Sequence, residues 1–128
     1  MKYAVQIHSL SKLFPTEETY SLTDQIRRSS RSVCANIAEA WRTRRFVKNF
    51  VSKLCIAECE VAETQVWLEF AVRFAYISRD EGLALYKEYD RLTASLVGMS
   101  HHSAEWTDKL KEPTAEYAVM DEYPFEID

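Results

Sequence analysis

Residues 16–112, a run of 97, contain no proline, and the whole chain holds only two glycines, Gly82 and Gly98. Turn-rich β architectures draw on both residues for their backbone angles, whereas long helices exclude them. The chain is therefore expected to be all-α. At 128 residues it is one domain's length and buries enough surface to need no disulfide or metal. The three cysteines, Cys34, Cys55 and Cys59, fall in apolar periodic segments. They are expected as buried free thiols in a reducing, cytoplasmic setting. The N-terminus lacks the apolar core of a secretory signal. The most apolar stretch, residues 66–77, is 12 long and carries Glu69 and Arg73, so no membrane span is expected.

Periodicity resolves four helices. In the first, residues 3–14, Tyr3, Ile7, Leu10 and Phe14 draw one apolar stripe, which Pro15 terminates. The second, residues 22–41, has Ser21 or Thr23 as N-cap and an apolar stripe of Leu22, Ile26, Val33, Ile37 and Trp41. Ser29 and Ser30 in its middle permit a close neighbour. The third, residues 43–77, has a heptad-like seam of Val47, Phe50, Leu54, Ala57, Val61, Leu68, Ala71 and Ala75. Trp67, Phe70, Phe74 and Ile77 form a second apolar side, a candidate interface with another copy of the chain. The fourth, residues 78–100, opens on Ser78-Arg79-Asp80-Glu81, the pattern of a capping box. Short connections make the architecture an antiparallel up-down-up-down four-helix bundle over residues 1–102. Residues 103–128 form an acidic tail, irregular or docked on the bundle.

A net charge of −4 hides strong polarisation. Residues 27–53 hold eight cations against Glu39, while residues 104–128 hold eight acids against Lys109 and Lys111. Arg27, Arg28, Arg31, Arg42, Arg44, Arg45 and Lys48 are candidate nucleic-acid contacts, since phosphate binding needs clustered cations. The alternative is a solvated face with arginines paired to Glu58, Glu60 and Glu63; no aromatic platform is evident beside the cations. Gln25, Arg28, Ser32, Asn36 and Glu39 form a polar stripe on the second helix. With Glu63 they are expected to build a hydrogen-bonded network that fixes register. Cys55 with Cys59, and the adjacent His101 and His102, do not reach the four convergent ligands of structural zinc. No catalytic constellation, metal site or cofactor motif is expected.

Three runs, FPTEETYSLTDQIRRSSRSVCANIAEAW (14–41), RRFVKNFVSKL (44–54) and AETQVWLEFA (62–71), resemble the bacterial four-helix-bundle proteins of the 23S ribosomal RNA intervening-sequence family. The resemblance spans residues 10–99. Gln25, Arg27, Arg28, Ser32, Asn36, Ile37, Ala38, Glu39 and Glu63 match the family pattern. Ala40 stands where many members have glycine, which favours continuous helix through Trp41. The resemblance implies a ring-like homopentamer with no catalytic residues. It also implies kinship in fold to the accessory variability protein of diversity-generating retroelements, a basic pentamer that works with a reverse transcriptase and its RNA. RNA or DNA is thus a candidate partner, and a protein-interaction scaffold is the alternative.

Overall fold

The structure is a computed structural model that describes residues 1–108. It is an all-α four-helix bundle: α1 (Lys2–Ser11), α2 (Leu22–Arg42), α3 (Val47–Arg73) and α4 (Arg79–His101), followed by a short α5 (Ser103–Asp108). A 3-10 turn, Thr16–Glu18, lies between α1 and α2. The most extensive packing is between α2 and α3, then α3 with α4, and α1 with α2. None of these helices is long and apolar enough to cross a membrane.

The core follows the periodic stripes except at the two ends of the α3 seam, where Val47 (44%) and Ala75 are exposed. Ile7, Ile26, Val33, Phe50, Leu54, Ala57, Val61, Leu68, Ala71, Leu85, Tyr89 and Leu96 are all buried. The α3 seam also takes in Thr64, whose Oγ1 lies 2.8 Å from both Ser29 Oγ and the Glu60 carbonyl oxygen. With Ser29 and Ser30 buried beside it, α2 and α3 approach closely, and the hydroxyls of Ser29, Ser30 and Thr64 all find partners. At the α3–α4 contact, Gly82 leaves no room for a side chain, since a Cβ there would lie 2.2 Å from Val72 Cγ2.

Several boundaries differ from the periodic reading. The first helix stops at Ser11, three residues early. The amides of Leu13 and Phe14 then donate three residues back, to Leu10 and Ser11, as Pro15 pushes Phe14 out of helical angles and into the core. The cap of α2 is not the hydroxyl of Ser21 or Thr23. Glu18 Oε2 instead accepts the Leu22 amide at 3.0 Å and the Ser21 hydroxyl at 2.6 Å, while Tyr76 donates to Glu18 Oε1 at 3.1 Å. These bonds, from Ser21 first, hold the Glu18 carboxyl below its ordinary pKa. The capping box of α4 forms as read, Ser78 and Glu81 exchanging bonds. Helix α2 runs unbroken past Ala40 to Arg42.

Residues 43–46, assigned to the third helix from the sequence, form the turn before it. The third helix also ends at Arg73 rather than at residue 77. The Tyr76 amide donates to Ala71 and the Ala75 amide to Val72, with Ala75 at φ 58°. This is a Schellman closure built on alanine instead of glycine. Left-handed angles cost a Cβ residue about 1–2 kcal/mol, partly offset by the smaller unfolded-state entropy of alanine. Ala75→Gly is therefore expected to raise stability by about 0.5–1 kcal/mol. An unchanged or lower urea midpoint would count against that account.

Two further expectations are corrected. Cys34 is only partly buried, and Cys55 and Cys59 are exposed. Ile77 packs into the chain's own core at 7% exposure, so it is not part of a free outer face. Residues 103–108 of the expected tail are helical and pack on α3 and α4. The remainder of the expected tail lies outside the described residues.

Candidate nucleic-acid interface

The seven candidate cations do not converge on one surface. Arg27, Arg28 and Arg31 sit in the first half of α2, lining an open groove of about 550 Å³ with Thr19, Thr23 and Ser32. Arg42, Arg44, Arg45 and Lys48 lie at and just beyond the far end of that helix. Fourteen helical residues, about 21 Å, separate Arg28 from Arg42.

The first group is engaged within the chain. Arg27 Nε donates to Ser11 Oγ at 2.7 Å, tying α2 to the end of α1. Arg28 donates to Gln25 at 3.3 Å, to Glu60 at 3.3 Å and to Glu63. Arg31 Nη2 stands 3.3 Å from His8 Nδ1. Burial, and then the charges of Arg27, Lys12 and Arg31, push the His8 pKa down, so a neutral ring faces the guanidinium.

The polar stripe therefore breaks into three pieces instead of one network. Gln25 and Arg28 join Glu60 and Glu63, and Trp67 Nε1 adds a bond to Glu63 at 3.3 Å. The hydrogen bond from Arg28 is the main reason the Glu63 carboxyl titrates below its ordinary range. Asn36 donates to Ser32, to its carbonyl at 2.9 Å and its hydroxyl at 3.1 Å. Glu39 pairs with Lys53 at 2.8 Å. The stripe runs along the open edge of the α2–α3 contact, not inside it, so such pairs contribute on the order of 0.2–1 kcal/mol each.

The second group is different. Among the described residues, no acidic side chain pairs with Arg42, Arg44, Arg45 or Lys48. The turn is held by its own polar atoms. Thr43 Oγ1 donates to the Glu39 carbonyl at 2.7 Å and accepts from Asn49 Nδ2 at 2.6 Å, and the Phe46 amide donates to the Thr43 carbonyl at 2.9 Å. Two exposed aromatics stand among the cations. Trp41, read from periodicity as a core residue, is 44% exposed, and Phe46 is 57% exposed. The Arg44 guanidinium lies 4.0 Å above the Trp41 ring while its Nη1 donates to the Trp41 carbonyl at 2.8 Å. Arg45 lies 4.9 Å above Phe46, and Trp106 of α5 meets Trp41 edge-on at 5.6 Å. The aromatic surface that the sequence left unseen is thus present. Its signal was the alternation W-R-T-R-R-F, residues 41–46.

The outer face of α3 is a second surface left uncovered among the described residues. At about 100° per residue, Cys55, Cys59, Ala62, Val66 and Phe70 stand opposite the core seam, with Ile56 and Phe74 on one edge. All seven are exposed, Val66 at 47% and Phe70 at 42%. Phe70 stacks on Trp67 at 6.1 Å and meets Phe74 at 5.6 Å. Trp67 itself is half-buried against the core. The candidate interface keeps Phe70 and Phe74, holds Trp67 at its margin, loses Ile77, and gains a line of residues toward the α3 N-terminus. Among the described residues, no group of three or more His, Cys, Asp or Glu is placed to hold a metal ion.

Comparison with known proteins agrees with the architecture. Nothing matches among the curated proteins. Among solved structures, this chain is similar to a protein of unknown function from the S23 ribosomal protein family of Bacteroides thetaiotaomicron. The two share 32% identity with a TM-score of 0.69, over 77% of this chain and 92% of the other. The family profile described as "23S rRNA-intervening sequence protein" matches residues 1–98, so it includes α1, most of which precedes the span of the sequence resemblance. With most of its length matched, and the helical bundle to go with it, the chain belongs to the 23S rRNA-intervening sequence protein family.

Proposed function

We propose that the protein acts by binding, as a homo-oligomer joined through the outer face of α3, and that its α2–α3 turn contacts nucleic acid. The observation that carries the nucleic-acid reading is the turn itself, where Arg42, Arg44, Arg45 and Lys48 have no acidic partner among the described residues. Cations left without a carboxylate attract polyphosphate and release its counterions. Assembly multiplies the effect, because each copy adds one turn to the same particle. The stoichiometry proposed is five, following the family resemblance. Arg27, Arg28 and Arg31, bound to Ser11, Glu60, Glu63 and His8, serve the fold in this reading. No step of chemistry is assigned to the protein.

Light scattering after size exclusion is expected to give a mass several times that of one chain. A monomer at micromolar concentration would remove the oligomer. Binding to nucleic acid is expected to weaken steeply with salt, and Arg42→Ala/Arg44→Ala/Arg45→Ala is expected to cut both the affinity, by more than about tenfold, and the salt slope, by about 2. Absence of any binding at low salt would remove the nucleic-acid reading. A protein-interaction scaffold is the second reading, favoured by Trp106, which already seats the start of the C-terminal region on Trp41.

A further inference from the structure

We infer that the α2–α3 turn takes unpaired nucleic acid, its bases stacked on Trp41 and Phe46, in preference to a duplex. This rests on the nucleic-acid reading of the turn and narrows it to a ligand class. Two aromatics in water are a liability for the free protein. Phe46 is the more telling, because it occupies the N-cap position of α3 and supplies no side-chain cap. Serine, threonine or aspartate there would satisfy an open amide, so phenylalanine forgoes a cap at a site where 57% of it stays in water. Among the described residues it takes no part in the core of the bundle.

The arginines beside these rings point the same way. The Arg44 guanidinium lies over the Trp41 ring at 4.0 Å and is held there by its bond to the Trp41 carbonyl, while that of Arg45 lies over Phe46 at 4.9 Å. A guanidinium on a ring keeps N–H edges free for phosphate oxygens. Ring and cation together therefore match the repeating unit of a single strand, a flat base joined to a charged phosphate. Arg42 and Lys48 add charge on either side in sequence, and α3 begins with no acidic residue in its first turn to oppose it. A duplex offers the same phosphates but hides its base faces in the stack, so it would add no base to the exposed parts of Trp41 and Phe46.

The test compares fluorescence anisotropy of labelled oligo(U), oligo(dT) and a duplex of equal length, using the full chain at one low salt concentration. Single strands are expected to bind about tenfold tighter or more than the duplex. Trp41→Ala and Phe46→Ala are each expected to weaken single-strand binding by about tenfold with the salt slope unchanged. Arg42→Ala/Arg45→Ala is expected to lower the slope. Quenching of tryptophan emission by oligo(U), lost in Trp41→Phe, would place the base on that ring. Equal or tighter duplex binding, or full affinity in both aromatic variants, overturns the inference and leaves the wider nucleic-acid reading standing. No binding to either form removes both. Capture of an acidic peptide with the sequence of residues 109–128, with no capture of oligonucleotide, also overturns it and favours a protein partner.

Discussion

Val66→Glu/Phe70→Glu is expected to convert the proposed assembly into monomers that remain folded. Both side chains stand opposite the core seam of α3, 47% and 42% exposed. In an isolated chain the new carboxylates stay in water, and surface substitutions of that kind usually shift stability by no more than about 0.5 kcal/mol. Between copies they would be stripped of water with no counter-charge, at a cost of several kcal/mol each. Every 1.4 kcal/mol is about tenfold in the association constant, so even partial burial of the pair dissolves the joint at micromolar protein. The expected result is a single-chain mass by light scattering with helical circular dichroism preserved. An unchanged oligomeric mass would show that α3 does not join the copies through this face. Ile77→Glu, by contrast, should unfold the chain, since Ile77 belongs to the core.

Phe50→Ala is expected to lose about 3–5 kcal/mol of folding stability, a large part of the roughly 5–15 kcal/mol a domain of this kind possesses. Phe50 is fully buried where α3 begins, and removing its ring leaves a cavity between the two most extensively packed helices. Phe46, one turn earlier, is expected to behave oppositely. Its replacement by alanine should leave the urea midpoint nearly unchanged, because 57% of it already faces water. Two phenylalanines four residues apart thus separate a folding role from the proposed binding role. Equal destabilisation by the two substitutions would show that Phe46 is a packing residue and would remove its functional reading.

The interior of the bundle was legible because burial repeats with the helical period. Phe50, Leu54, Ala57, Val61, Leu68 and Ala71 appear in the α3 seam as read, and the capping box at Ser78 needs only local spacing. What escaped was set by single bonds or by geometry that periodicity ignores. Glu18 replaces Ser21 as the cap of α2, and its other oxygen accepts from Tyr76, 58 residues away. Ala75 closes α3 in a conformation that usually announces itself with glycine. At the candidate site, charge composition located the turn but merged two groups that lie a helix-length apart. Trp41 was misread because its position fits the apolar stripe of α2, and the stripe outlasts the neighbouring helix that would cover it: α1 has ten residues against 21 in α2.

The turn of residues 43–46 also bears on how the chain folds. It joins the two helices with the most extensive mutual packing, and closing so short a loop costs little chain entropy. Contacts local in sequence tend to form early, so the α2–α3 hairpin is expected to be the folding nucleus, with α4 and the short α1 docking afterwards. The cationic surface is then completed by the same event that commits the chain to its topology. Changes to the backbone of the turn are accordingly expected to alter folding speed, separately from the ligand capture proposed for its side chains.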